Sequence, residues 1–140
     1  MLNKTFERFA VWGPLFIRIA LGITFVAHGS QKLFGAFGGP GISGFAKYLE
    51  IVGVPIPSLF SPTVAAVEFF GGILILTGFL TRWAALFISI DMLIAILSVH
   101  ISKGFFIDKG GIEFAFANLF MALSLLLTGA GGKCSIDSQR

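Results

Sequence analysis

Long apolar runs, separated by short breaks rich in glycine, proline and polar residues, set the plan of the chain. The first run, residues 12–34, follows Lys4 and Arg8 and carries Pro14 where the opening turn of a helix tolerates proline. Arg18 interrupts it and no A-x-A pattern follows it, so a retained helix is expected rather than a secretion signal. Residues 35–57, GAFGGPGISGFAKYLEIVGVPIP, hold a short amphipathic piece, Ile42–Val52, between glycines and prolines. They predict a loop with an interfacial helix. A second span is expected over residues 62–80, with Ser61 as its cap and Pro62 in its first position. Thr81 and Arg82 then form a tight turn into a third span over residues 83–99, which makes the two helices antiparallel neighbours. The polar stretch from His100 to Gly111 precedes a fourth span over residues 112–128, and a polar tail, 129–140, closes the chain.

Composition turns this pattern into a membrane protein. Of 140 residues, 56% are hydrophobic and only 12% charged, where a soluble domain keeps roughly a quarter of its residues charged. The expected fold is all-α: one transmembrane domain over residues 1–140, a four-helix bundle with the interfacial helix between spans one and two. The bilayer is its first partner. The net charge of +3 comes from scattered Lys and Arg with no basic run, which excludes a nucleic-acid footprint. A single cysteine, Cys134, excludes an internal disulfide and thiol exchange through a cysteine pair of its own. Lys4, Arg8, Arg82, Lys133 and Arg140 fall on one side of the bundle and Lys32, Lys47, Lys103 and Lys109 on the other, a bias of five to four that places the termini in the cytoplasm.

The informative residues are the charges inside the spans, because each costs at least about 2.5 to 3.5 kcal/mol at bilayer depth unless paired or hydrated. Counted from the cytoplasmic ends, Arg18 and Asp91 lie at similar depth and are expected to pair. Glu68, six residues past Pro62, descends from the opposite border. At 100° per residue His28 and Lys32 share the Arg18 face of span one. Glu68 is flanked by Ala65 and Gly72, and Asp91 by Ala84, Ala95 and Ser98, small residues that admit a neighbouring helix. His100 points away from Asp91 unless the helix ends before it. Glu113 stands at the outer border of span four, with Asn118 deeper.

These residues predict a polar cavity in the outer half of the bundle, floored by the Arg18–Asp91 pair. The competing readings are a register-fixing ion pair for Arg18 and Asp91 and a snorkelling border anchor for Lys32. Two histidines and two glutamates lack a ligand motif such as HExxH, so no metal site is expected. No sequence feature binds haem, flavin or an iron–sulfur cluster. Some of the phenylalanines could stack on a flat ligand such as a quinone ring.

Three segments then carry a resemblance: RIALGITFVAHGSQKLFG from Arg18, VEFFGGILILTGFLTRWAALFISIDM from Val67, and GGIEFAFANLFMALSLLLTGAGGKCSID from Gly110. The Arg, His-Gly and Lys of span one, Glu-x-x-Gly-Gly of span two, and Gly-Gly-x-Glu, Gly-x-Gly and Ser-x-Asp around span four, in this order, resemble the DoxX family. The resemblance implies a small four-helix protein of the bacterial or archaeal inner membrane, with relatives tied to quinol oxidase or thiosulfate:quinone oxidoreductase complexes and to redox defence. It suggests Arg18, His28, Lys32, Glu68 and Glu113 as shared polar positions. Where relatives act through cysteines, this chain departs.

The expectation is therefore an oxidoreductase subunit, with a partner redox subunit, that binds a quinone or a small oxidisable molecule. Glu68 or Glu113 would take a proton and His28 would hydrogen-bond a carbonyl, while Arg18, Lys32, Asp91, His100 and Asn118 surround the ligand. The alternative is a non-enzymatic carrier of a small molecule, or an assembly partner of another membrane complex. Association with a second copy of the chain is compatible with either.

Overall fold

The computed structural model describes residues 6–139; Lys4 and Arg140, counted among the border cations, lie outside them. Five helices carry the architecture: α1 (Gly13–Phe34), α2 (Gly41–Ile51), α3 (Pro57–Thr77), α4 (Thr81–Ala95) and α5 (Glu113–Thr128). There is no strand among the described residues. A π-helical turn, Ile96–His100, and a 3-10 turn, Ile101–Lys103, prolong α4. With these turns α4 reaches 23 residues, and α1 and α3 are likewise long and apolar enough to cross a bilayer. The 16 residues of α5 rise only about 24 Å against a hydrocarbon core of about 30 Å.

The packing combines an apolar exterior with an interior in which small residues stand among Leu21, Phe25, Ile75, Ile88 and Leu125. Large apolar side chains such as Phe16 (68% exposed) and Leu127 (76%) face outward, whereas the interior holds Ala65, Gly71, Gly72, Ala84, Ala85, Ala115 and Ala122. Without water to drive association, helices in lipid are held by close backbone approach, which small residues permit. The α1–α3 contact is the tightest case. A Cβ on Gly29 would lie 2.4 Å from the Phe69 backbone nitrogen, and one on Gly72 would lie 2.6 Å from that of Val26. α1 packs on α3 and α4 packs on α5, and α2 lies across the C-terminal end of α1 and against α3.

Two helix boundaries differ from the sequence reading. α3 begins at Pro57, a full turn before the expected start, so Pro62 sits inside the helix and Ser61 does not cap it. Proline at either position spares the helix, because Pro57 needs no N–H in the first turn and Pro62 forgoes a single bond, to the Ser58 carbonyl. The Ser61 hydroxyl is instead buried without a partner. The α3–α4 turn lies at residues 78–80, not at Thr81 and Arg82: Gly78 adopts φ +65°, Phe79 N–H reaches the Leu74 carbonyl, and Thr81 is the first residue of α4. Asp137 in the tail receives the Leu80 and Thr81 N–H groups on its two carboxylate oxygens, both at 2.9 Å. A carboxylate at the positive end of α4 is favourable by charge as well as by hydrogen bonding. The expected interfacial helix is α2, within one residue at each end.

Candidate functional site

The new start of α3 relocates its glutamate. Counted from the α3–α4 turn, Glu68 is nine residues back from Thr77 and Asp91 ten residues on from Thr81. At 1.5 Å per residue both stand about 14 to 15 Å from the turn, level with each other near mid-bilayer. They line one cavity of about 480 Å³ together with His28 and Lys32 of α1 and Ser98 and His100 at the end of α4. Phe25, Phe45, Tyr48, Phe60 and Phe114 form much of its apolar wall.

Within the cavity the charges are only partly matched. Lys32 Nζ lies 2.5 Å from Glu68 Oε1 and 4.7 Å from the centre of the Phe45 ring, so the ammonium is held by a carboxylate and an aromatic face at once. Glu68 is 2% exposed, and its second oxygen, Oε2, has no hydrogen-bond partner; Asp91 Oδ2 is in the same position. His100 Nδ1 is 2.7 Å from the Gly110 carbonyl, which can only accept, so Nδ1 carries the proton and a neutral ring keeps Nε2 as an acceptor. The His28 ring lies 5.2 Å from that of Phe114. A second cavity, of about 280 Å³, shares His28, His100, Phe114 and Ala115 with the first and continues toward the loop before α5.

The expected Arg18–Asp91 pair does not form. Arg18 is 1% exposed and spends all five guanidinium N–H groups on carbonyl oxygens: Ile75 and Leu76 at the end of α3, and Ala130, Lys133 and Cys134 in the tail. Side chains tilt toward the N-terminus of their helix, which carries this guanidinium away from mid-bilayer. There the unsatisfied carbonyls at the end of α3 supply the negative end of a helix dipole. Arg18 is thus a clasp between the tail and α3, outside the cavity, and Asp91 is a cavity residue.

Two further expected site residues stand apart. Glu113 Oε2 accepts the Ile107 N–H at 2.9 Å and shapes the loop before α5, and the residue does not line the cavity. Asn118 is buried, donates from Nδ2 to the Phe114 carbonyl at 2.8 Å, and lies outside the cavity lining. Both are on α5, which meets the cavity through Phe114 and Ala115: Glu113 precedes that contact, and Asn118 lies on the same face one turn further along the helix, beyond the cavity lining. His100 does reach the cavity. The π-helical turn advances fewer degrees per residue than an α-helix and cancels much of the separation from Asp91 that a straight helix would impose. Lys32, expected either beside the ligand or as a border anchor, lines the cavity and is engaged by Glu68. Phe45 and Tyr48 went unread as cavity residues, although Phe45 and Leu49, four apart and both buried, mark the inward face of α2.

A family model described as DoxX matches residues 13–101. Over 129 residues, 92% of this chain and 85% of the relative, the sequence is 30% identical to the "Putative oxidoreductase CatD" of Bacillus subtilis (strain 168). It is 41% identical over 75 residues to the "Inner membrane protein YqjF" of Escherichia coli (strain K12), covering 54% of this chain and 52% of that protein. A third relative, the "Uncharacterized membrane protein Rv3486" of Mycobacterium tuberculosis, is 32% identical over 130 residues, 86% of this chain and 77% of its own length. No solved structure matches the chain.

Proposed function

This chain belongs to the DoxX family of membrane proteins, and on that premise we propose that it is a redox subunit that binds a quinone or a similar small oxidisable molecule inside the bundle. The observation that carries the proposal is the cavity of about 480 Å³, in which two carboxyls, a lysine and two histidines converge between aromatic walls. Its size falls in the range of small-molecule sites, as does its mostly apolar lining with few polar groups. The oxidoreductase in the name of the Bacillus subtilis relative supports the redox character. The name of the Escherichia coli relative supports an inner-membrane location, and the cation bias supports cytoplasmic termini.

In this reading the aromatic side chains hold a flat ring, and His28 and the unshared hydrogens of Lys32 donate to its oxygen atoms. Glu68 holds or releases the proton that accompanies electron transfer, with Lys32 at 2.5 Å balancing its charge. Electrons pass to or from a partner subunit. Mass spectrometry of small molecules extracted from protein purified gently from its native membrane tests this. A redox-active aromatic molecule retained by the wild type and lost in Glu68→Gln and His28→Ala variants supports the site; an empty wild-type bundle overturns it.

The second cavity favours one competing reading. Two chambers sharing His28, His100, Phe114 and Ala115 also suit a carrier that passes a solute toward the loop before α5. Counterflow of a labelled solute in proteoliposomes, independent of redox state, would support that reading.

A further inference from the structure

We propose that the cavity discriminates between oxidation states of its ligand, holding the dihydroxy form of an aromatic ring in preference to the dicarbonyl form. The inference rests on the ligand class assigned above and adds what the buried polar atoms ask of it. Glu68 Oε2 and Asp91 Oδ2 are buried without a partner and belong to residues that line the same cavity. An ionised carboxylate oxygen only accepts hydrogen bonds, and His100, with its Nδ1 proton committed to Gly110, offers an acceptor as well. With both carboxyls ionised, three acceptors stand together in the cavity, beside donors that include Lys32 and the Ser98 hydroxyl.

A ring with two carbonyl oxygens brings acceptors only. It leaves both carboxylate oxygens unmatched and sets partial negative charge against them, in a wall where an unmade hydrogen bond is expensive. A ring with two hydroxyls donates to them and still accepts from Lys32 or His28. Hydrogen bonds to charged acceptors are about twice as strong as neutral ones, and a low local dielectric strengthens them further. A site built on donated hydrogen bonds strongly rejects the analogue that lacks them.

The test is equilibrium dialysis under anaerobic conditions with the full chain in lipid nanodiscs and three probes of nearly the same shape. These are trimethylhydroquinone, trimethyl-1,4-benzoquinone, and the dimethyl ether of the former. The hydroquinone should bind at least tenfold more tightly than the other two. In Asp91→Asn, whose side-chain amide can donate as well as accept, the ratio should fall below about threefold, and Glu68→Gln should act in the same direction. A quinone or dimethyl ether that binds as tightly as the hydroquinone overturns this inference and leaves the redox site standing. Binding by none of the three overturns the redox site itself. A tenfold preference unchanged in both variants would show that the carboxylates do not set it. A wild type without the preference overturns the inference even if a variant fails to fold.

Discussion

Arg18 and Asp91 are opposite charges on α1 and α4, and each finds its environment elsewhere. Five carbonyl oxygens replace a carboxylate as the partner of the guanidinium. Arg18→Lys keeps the charge but supplies three donors in place of five. At about 1 kcal/mol or more for each carbonyl left unpaired, the variant should lose at least about 2 kcal/mol, read as a lower thermal midpoint in detergent by circular dichroism. The exchange Arg18→Asp with Asp91→Arg should rescue nothing. Recovered stability in that double variant would restore the pair that the geometry denies. The identity of these residues as costly interior charges was legible in the sequence, because an apolar span makes any charge conspicuous. Their partners were not, since carbonyl groups are present at every residue and leave no mark in the side-chain pattern.

The helices themselves were read from hydropathy with little loss, since a bilayer demands long apolar runs whatever the packing inside. Boundaries failed at proline, where one residue type fits both the first turn and the second. That single misplaced turn moved Glu68 from the outer half of the bundle to mid-bilayer and hid its alignment with Asp91. The π-helical turn was likewise beyond the sequence, because no composition distinguishes Ile96–His100 from ordinary apolar helix. At this scale the α1–α3 contact gives a sharp expectation. Gly29→Ala forces a Cβ to within 2.4 Å of the Phe69 backbone, which cannot retreat as a side chain can. It should cost about 1 to 3 kcal/mol or more and part the two helices. Gly13→Ala, with open space around the added methyl, should be nearly neutral in the same denaturation assay.

For the whole molecule, the exposed apolar surface and the small interior residues fit a protein surrounded by lipid. Orientation follows from the proposed cytoplasmic termini, and Cys134 is a native reporter for it, being exposed and the sole cysteine. An impermeant maleimide should label Cys134 in inverted vesicles and leave it unlabelled in intact cells permeable only at the outer membrane. Labelling in the intact cells would place the termini outside. The cavity could be foreseen as a set of residues but not as a volume. His28, Lys32, Glu68 and Asp91 declared themselves by charge or ring, whereas the aromatic lid from α2 depends on how an interfacial helix folds over the bundle. Glu113 and Asn118 looked equivalent to them in sequence and differ in what they bond: Glu113 takes the Ile107 N–H of the loop before α5, and Asn118, one turn beyond Phe114, bonds the Phe114 carbonyl.

The clasp around Arg18 also imposes an order in time. Its helix emerges from the ribosome first, while three of its five acceptors lie 112 to 116 residues later. At about 5 to 20 residues per second, the guanidinium waits roughly 6 to 23 s in or near the membrane before those carbonyls exist. During that interval the nascent chain must be sheltered by the insertion machinery or by water. A stop codon just before the tail would make the wait permanent, and the shortened protein should be cleared by membrane proteases though all its helices are complete.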